Sequence, residues 1–288
     1  MVDQKYLAIL KRGVGVWNTW RNEHPEVYLN LIRADLRGMD LQGANLEQAS
    51  LEGAYLERAD LRGANLKRAD LRYGVNLRDA NLERANLQGA ELDDANMQGV
   101  KLQGADLSQT DLRRVKLQGA DLSQTDLRGA YLHGARLIGA NLERANLHGS
   151  DLCDSDLHEA NLRQADLTGT KLRWANLYKA DLEYADLSGA GLQGTSLREA
   201  NLTGAKLREA NLSQADLDRA NLTGAWLNKA ILKGASLRQA ILCQAHLDQI
   251  QCRGTNFQGA DLRGIPWLFI MELTLQPEVT LTETLWER

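Results

Sequence analysis

The chain has 288 residues, with 34 basic and 38 acidic side chains and a formal net charge of −4. Charges of both signs are interspersed along it, which excludes a strongly acidic or strongly basic chain. No apolar run of about 18 residues occurs, and the apolar segment 6–10 is followed at once by Lys11 and Arg12. We therefore expect neither a transmembrane helix nor a signal peptide, and we predict a cytoplasmic protein without membrane contact.

The N-terminal segment, residues 3–23, predicts one amphipathic helix with Asp3 at its N-cap. Its apolar stripe consists of Tyr6, Leu7, Leu10, Val14 and Trp17. Gly13 and Gly15 weaken the helix, and Pro25 ends it. Residues 1–28 are therefore predicted to form a helical cap with Trp17 and Trp20 as candidate contacts. A dimerisation element is the alternative.

A five-residue unit fills the chain from Ala34 to Arg263, as in Ala44-Asn45-Leu46. Leu occupies 43 of the 46 unit centres, and Ala lies two residues before the centre in 34 units. Residues that are two apart face the same side of an extended segment, so each unit has two inward side chains. A period of five fits neither a helix nor a flat strand, so the chain must bend once in every unit.

Four such sides would close a coil of about 20 residues, and neighbouring coils would stack through backbone hydrogen bonds. Each unit would bury its apolar face only against its neighbours, as in other solenoid proteins. The sequence therefore predicts an all-β solenoid over residues 29–264. The number of units corresponds to about 11–12 coils.

The A(D/N)LxG pattern of these units resembles that of the pentapeptide repeat proteins, in their Leu-centred, cyanobacterial-type variety. The resemblance implies a right-handed quadrilateral β-helix. It does not imply one function, because function varies within this family. Some members form dimers through the C-terminal end, and some resemble duplex DNA and bind type II topoisomerases.

Between Leu71 and Leu77 the spacing of the centres is six rather than five. Gly74 lies in this segment and supplies permissive backbone angles. We expect a one-residue bulge at a corner, which would keep the four faces in phase. A tolerated insertion is favoured over a functional site.

Residues 265–288 are predicted to form either a C-terminal cap or a dimerisation tail. Ile265 and Trp267 continue the register and are large enough to plug the interior. The apolar residues that follow alternate like a final strand, namely Phe269, Met271, Leu273 and Leu275. Trp267, Phe269, Met271 and Leu273 are the candidate contacts of this end.

The sequence contains few residues in arrangements typical of catalysis or metal binding. His133 and Cys153 are 20 residues apart and would stack on one face, but two soft ligands do not make a closed zinc site. Phosphate-binding loops and nucleophile elbows are absent from the sequence. We therefore predict no catalysis, no metal and no cofactor.

The Asn or Asp before each Leu forms stripes such as Asp106 and Asp126, which we interpret as structural because these side chains bond the local backbone at corners. Outward apolar side chains are rarer and more informative. Two groups are predicted as protein-contact residues: Trp174, Tyr178 and Tyr184, on adjacent sides of nearly one coil, and Trp226, Ile231 and Ile241, where Asn or Asp usually stands.

The favoured functional hypothesis is a non-catalytic scaffold that binds an unidentified protein partner, with a possible homodimer through one end. The alternative is a DNA-mimicking modulator of a type II topoisomerase. Such a protein needs a strong negative field, whereas the net charge here is weak. Direct binding of nucleic acid is not expected.

Overall fold

The computed structural model describes residues 3–286, except for the side chains of Trp267, Leu268 and Glu272. It divides into two compact units, Met1–Asn146 and Leu147–Arg288. Three helices lie in the described residues: α1 (Gln4–Leu10), α2 (Val14–Glu23) and α3 (Trp267–Thr274). The rest of each unit is built from one-residue rungs, and within a unit the rungs pair in parallel at a spacing of one coil, as Asp40 does with Asp60.

Each five-residue unit uses one set of backbone hydrogen bonds, as the side centred on Leu41 shows. Leu41 N–H donates to Asp60 O (2.7 Å), and Gly43 N–H donates to Arg62 O (2.9 Å), both one coil further on. Ala44 N–H donates back to Leu41 O (3.0 Å) and closes the turn at the corner. The third residue of that turn has a positive φ, 69° at Gly43, as in type II turns. Four such sides return the chain to the same face.

The interior of each unit is a stack of Leu with small residues beside it. The centres and the residues two before them are buried almost without exception. Where Thr replaces Ala, its hydroxyl finds a backbone acceptor: Thr195 Oγ1 donates to Leu172 O at 2.7 Å, and Thr255 Oγ1 donates to Leu232 O at 2.7 Å. A buried hydroxyl is tolerated here because it is hydrogen-bonded.

The predicted insertion after Leu71 is confirmed. Tyr73 and Gly74 both have positive φ at this corner, and Val75 is buried in the place of Ala. The ladder continues across the insertion through the Tyr55–Asn76 rung pair. The extra residue is therefore absorbed at the corner, and the faces stay in phase.

The prediction of one N-terminal helix is wrong, because α1 and α2 are separate. Gly13 has φ 110° and ψ 155°, which no helical residue adopts, and it becomes the N-cap of α2. Asp3 does cap α1, since its Oδ1 accepts the Lys5 N–H at 2.9 Å. The break lets Leu10 and Trp17 both turn inward and become buried.

Side chains of α2 form the hydrogen bonds to the Asn45 rung that a preceding coil would otherwise form. Trp17 Nε1 donates to Asn45 O at 2.8 Å, and Asn18 Oδ1 accepts the Asn45 N–H at 2.8 Å. Arg21 donates to Glu47 O at 3.3 Å. The first coil thus obtains, on this side, the backbone partners that another coil would have supplied.

The predicted final strand at residues 269–275 is also wrong, since residues 269–274 belong to α3. Its Ile270 and Leu273, three residues apart, are the buried pair. After α3 the coil resumes: Thr280 pairs with Asn256, and Leu285 pairs with Asp261. Helix α3 therefore interrupts the last coil, and two more sides follow it.

Candidate protein-contact surfaces

The Asn and Asp side chains of the rungs are corner braces, as predicted. Asp106 Oδ1 accepts the Ser108 N–H at 2.9 Å, and Asn256 Oδ1 accepts the Gln258 N–H at 2.9 Å, as an Asx turn requires. Amide side chains also bridge successive coils, for example Asn201 Nδ2 to Asp181 Oδ1 at 2.9 Å. These polar stripes are therefore used by the fold itself.

Arginines neutralise several rung aspartates. Arg263 Nε and Nη2 donate to Asp261 at 2.9 and 2.7 Å, and this hydrogen-bonded fork lowers the pKa of Asp261 to about 2. The Arg37 fork likewise lowers the pKa of Asp35 to about 2. The same fork is formed at further sites, by Arg62 on Asp60, Arg72 on Asp70, Arg113 on Asp111 and Arg128 on Asp126. The rungs of these six aspartates therefore do not present bare carboxylates.

Two of the predicted contact aromatics lie at corners and rest on glycines. Trp174 and Tyr184 both have positive φ, and both are more than half exposed. The Trp174 ring lies over Gly194, and the Tyr184 ring lies over Gly204, each one coil further on. A side chain at either glycine would overlap the ring, so the sequence leaves room for it. The rings are exposed on one side and supported on the other.

The first predicted group is not one patch. Trp174 and Tyr184 are ten residues apart, which is two sides of a four-sided coil, so they occupy opposite corners. Tyr178 lies on the side between them and is half-buried. Its hydroxyl is 3.4 Å from Glu199 Oε2, and its ring lies 5.1 Å from the Lys179 ammonium.

Trp226 packs against side chains of two neighbouring coils. We define the Trp226 ladder as the rungs Asp166, Asp186, Lys206, Trp226 and His246. The His246 ring stacks on Trp226 with centroids 4.0 Å apart and planes at 22°, and the Arg208 guanidinium lies 4.6 Å from the Trp226 centroid. Trp226 remains 37% exposed. Sequence reasoning missed Arg208 and His246, although the 20-residue step from 226 to 246 could have indicated the stack.

Ile231 and Ile241 lie on two different faces. Ile231 pairs with Asn211 and Gln251, whereas Ile241 pairs with Asn221 and Asp261. These two ladders flank the Trp226 ladder on opposite sides, so the second predicted group is spread over three faces. Ile241 is exposed and Ile231 is half-buried.

The end residues have different environments. Trp17 is completely buried in the cap, while Trp20 is half-buried and stacks on His24 with centroids 4.9 Å apart. At the other end Leu273 is buried, Phe269 is half-buried, and Met271 is exposed. Leu275 (82%) and Leu285 (56%) are the most exposed apolar side chains near it, and sequence reasoning did not select them. The Trp267 side chain lies outside the described residues.

No group of three or more His, Cys, Asp or Glu side chains within residues 3–286 is arranged to hold a metal ion. His133 and Cys153, the pair considered from sequence, belong to different units. None of the described helices is long and apolar enough to cross a membrane.

Parallel one-residue rungs, a coil of four five-residue sides and a Leu interior define a four-sided β-solenoid repeat protein. The family model for pentapeptide repeats matches this chain in 8 copies, over residues 30–68, 76–114, 116–154, 155–194, 195–234 and 230–265. The chain therefore belongs to the pentapeptide repeat family, whose members form right-handed quadrilateral β-helices.

Similar solved structures are pentapeptide repeat proteins. HetL of Nostoc sp. strain PCC 7120, involved in heterocyst differentiation regulation, is 34% identical, with 70% of this chain and 88% of that chain covered and a TM-score of 0.39. QnrB1, a plasmid-mediated fluoroquinolone resistance protein, is 21% identical in a trypsin-treated form, with 71% and 97% covered and a TM-score of 0.47. A thylakoid-lumen protein of Arabidopsis thaliana is 32% identical, with 48% and 71% covered and a TM-score of 0.23. No curated protein matches the chain.

Proposed function

We propose that this protein is a non-catalytic scaffold that binds a protein partner through the outer surface around Trp226. The observation that carries the proposal is the stack of Arg208, Trp226 and His246, which holds a large exposed ring in one orientation. Partially exposed Trp and Arg side chains are the residues that most often dominate binding energy at protein interfaces. A ring that is already immobilised loses little conformational entropy on binding.

The non-catalytic part of the proposal rests on how the outward polar side chains are used. Rung carboxylates and amides brace corners, and six of the aspartates are forked by arginine. A carboxyl group that acts as a general acid at neutral pH has its pKa raised by a concave, water-poor site. For Asp35 and Asp261 the pKa is instead lowered by arginine.

DNA mimicry of a topoisomerase substrate is the second hypothesis, and the charge arrangement supports it less. A DNA mimic needs a continuous field of negative charge that competes for a basic groove. Here the forks interleave arginine with aspartate along the same faces. We therefore expect no inhibition of gyrase supercoiling at high protein excess. Inhibition that Arg→Gln substitutions at the forks increase would favour mimicry.

Self-association is proposed to use the C-terminal end. Leu275, Leu285 and Met271 are exposed there, whereas Trp17 at the other end is buried within the cap. The rungs of Thr280 and Leu285 also end the described ladders on two faces and leave an edge that another chain can pair with. A cytoplasmic location remains a prediction from the sequence.

The scaffold proposal is tested by comparing the proteins that bind the wild-type chain, Trp226→Ala and Tyr131→Ala in extracts of its source cells. Tyr131 is a matched control because it is an exposed aromatic rung in the other unit. The proposal predicts a partner that is retained by the wild type and Tyr131→Ala and lost with Trp226→Ala. A set of bound proteins unaffected by Trp226→Ala would contradict it.

A further inference from the structure

Beyond Trp226, a small cavity lies where the Trp226 ladder ends. It has a volume of about 230 Å³, and we call it the Asp248 slot. His246 and Asp248 of the last rung line one side, and Ile265, Pro266 and Phe269 at the start of α3 line the other. The slot exists because the chain enters α3 instead of adding another rung above His246. Drug-sized ligands occupy pockets of about 300–1,000 Å³, so this slot suits a single side chain.

The slot combines an aromatic wall with a fixed carboxylate. His246 lines the slot, and its ring is held on Trp226 with centroids 4.0 Å apart. Asn228 Nδ2 donates to Asp248 Oδ2 at 2.7 Å and orients that carboxylate. The nearby cations are engaged elsewhere, since Lys229 pairs with Glu209 and Arg263 pairs with Asp261. Among the described side chains, no Lys or Arg forms an ion pair with Asp248.

We propose that the Asp248 slot binds the guanidinium of an arginine side chain on a protein partner. A guanidinium is planar, stacks on aromatic rings and forms two parallel hydrogen bonds to a carboxylate. A neutral aromatic side chain would partly desolvate the Asp248 carboxylate and leave its charge balanced only by the Asn228 amide, which is unfavourable. A lysine ammonium would satisfy the charge but cannot stack.

Both kinds of interaction, an arginine stacked on a ring and an arginine bonded to a carboxylate, occur within the chain itself. Arg208 lies 4.6 Å from the centroid of the Trp226 ring, which is the stacking interaction. Arg263 forks Asp261 at 2.9 and 2.7 Å, which is the carboxylate interaction. The slot brings a histidine and a carboxylate together, and no arginine is among its described lining residues.

The inference deepens the proposed scaffold function, because it names the chemistry of one contact beside the Trp226 surface. Its test does not require the partner. N-acetyl-arginine methylamide is titrated at millimolar concentration into the full chain, and NMR shifts of the His246 ring and Asp248 amide are followed. The lysine analogue and N-acetyl-tryptophanamide are the comparison probes.

We expect the arginine probe to cause saturable shifts and the lysine probe to bind more weakly by about fivefold or more. In Asp248→Asn the affinity for the arginine probe should fall by about tenfold. Glu159→Gln, which removes an exposed corner carboxylate of the same unit, should bind like the wild type. Phe269→Leu should reduce the difference between arginine and lysine.

Absence of shifts, equal binding of arginine and lysine probes, or tighter binding of the tryptophan probe with no effect of Asp248→Asn would each overturn the inference. Circular dichroism of the variants serves as the control for folding. A failure here leaves the scaffold proposal standing, because that proposal is judged by the effect of Trp226→Ala on partner binding.

Discussion

The ring of Trp174 lies directly over the α-carbon of Gly194 in the next coil, so that an added Cβ at Gly194 would overlap the ring. A corner residue therefore determines what its successor 20 residues later can be. The same relationship holds between Tyr184 and Gly204. The exposed rings at these corners therefore depend on a glycine 20 residues later in the sequence.

Gly194→Ala should destabilise the protein more than Gly189→Ala. Both glycines have φ 67°, but an added Cβ at Gly189 meets nothing within 4 Å. Alanine should cost about 1 kcal/mol at either corner through the left-handed backbone. At Gly194 a further cost of about 1–2 kcal/mol is expected from displacing Trp174. Thermal unfolding midpoints of the two variants measure the difference, and equal midpoints would show that the ring does not depend on this glycine.

Trp17→Phe should loosen the N-terminal cap. Phenylalanine keeps an aromatic ring but removes the indole N–H that donates to Asn45 O at 2.8 Å. An unsatisfied buried carbonyl costs about 1–3 kcal/mol. Trp20→Phe is the control, because Trp20 is half-buried and its ring packs against other rings. Hydrogen exchange at the first coil should rise in Trp17→Phe and not in Trp20→Phe; the same rise in both would remove the assigned role of the indole.

The free energy of unfolding should fall in acid, because protonation of the aspartates breaks the arginine forks. The pKa of Asp261 is lowered from 3.8 to about 2 by Arg263. A folded-state pKa below the unfolded value means that the contribution is fully present above about pH 4 and is lost as the pH falls through about 2. Asp261→Asn should therefore be less stable than the wild type at neutral pH, and the two should converge near pH 2. In Arg263→Gln the pKa of Asp261 should return toward 3.8, which carboxyl NMR titration measures. An unchanged titration would contradict the fork.

Self-association through the C-terminal end predicts a change in solution mass. Leu275→Lys with Leu285→Lys places two charges on the exposed apolar side chains of that end. Light scattering should show a dimer for the wild type and a monomer for this double variant. Truncation at Gly264 is a poorer test, because it removes the buried Ile270 and Leu273 as well as the rungs above Asn256 and Asp261. A wild-type monomer would end the proposal of self-association.

The repeat region could be predicted because one five-residue rule decides each position, including the corner insertion at Tyr73 and Gly74. The tail could not, because six of the eight residues 267–274 are apolar and the pattern fits a period of two as well as a helix. Pro266 stops the ladder and favours a helix start, which decides between them. At the other end Gly13 has a conformation that the helical pattern does not reveal.

The sequence indicates candidate contact residues one at a time and does not indicate which of them share a face. Trp226 was identified because it breaks the Asn/Asp rule, yet its partners Arg208 and His246 are near it only through the coil repeat. Trp174 and Tyr184 are close in sequence but lie at opposite corners, since ten residues are half a coil. The Asp248 slot depends on where α3 lies against the last rung, which no local pattern specifies.

The most direct test of the account is the affinity of a captured partner for the wild type, Trp226→Ala and Tyr131→Ala, measured by calorimetry. A rigid aromatic anchor at an interface contributes about 2 kcal/mol or more, so Trp226→Ala should weaken binding by about 30-fold. Tyr131→Ala should remain within about twofold of the wild type. Equal affinities for the wild type and Trp226→Ala, with both proteins folded, would contradict the assignment of the Trp226 surface as the binding site.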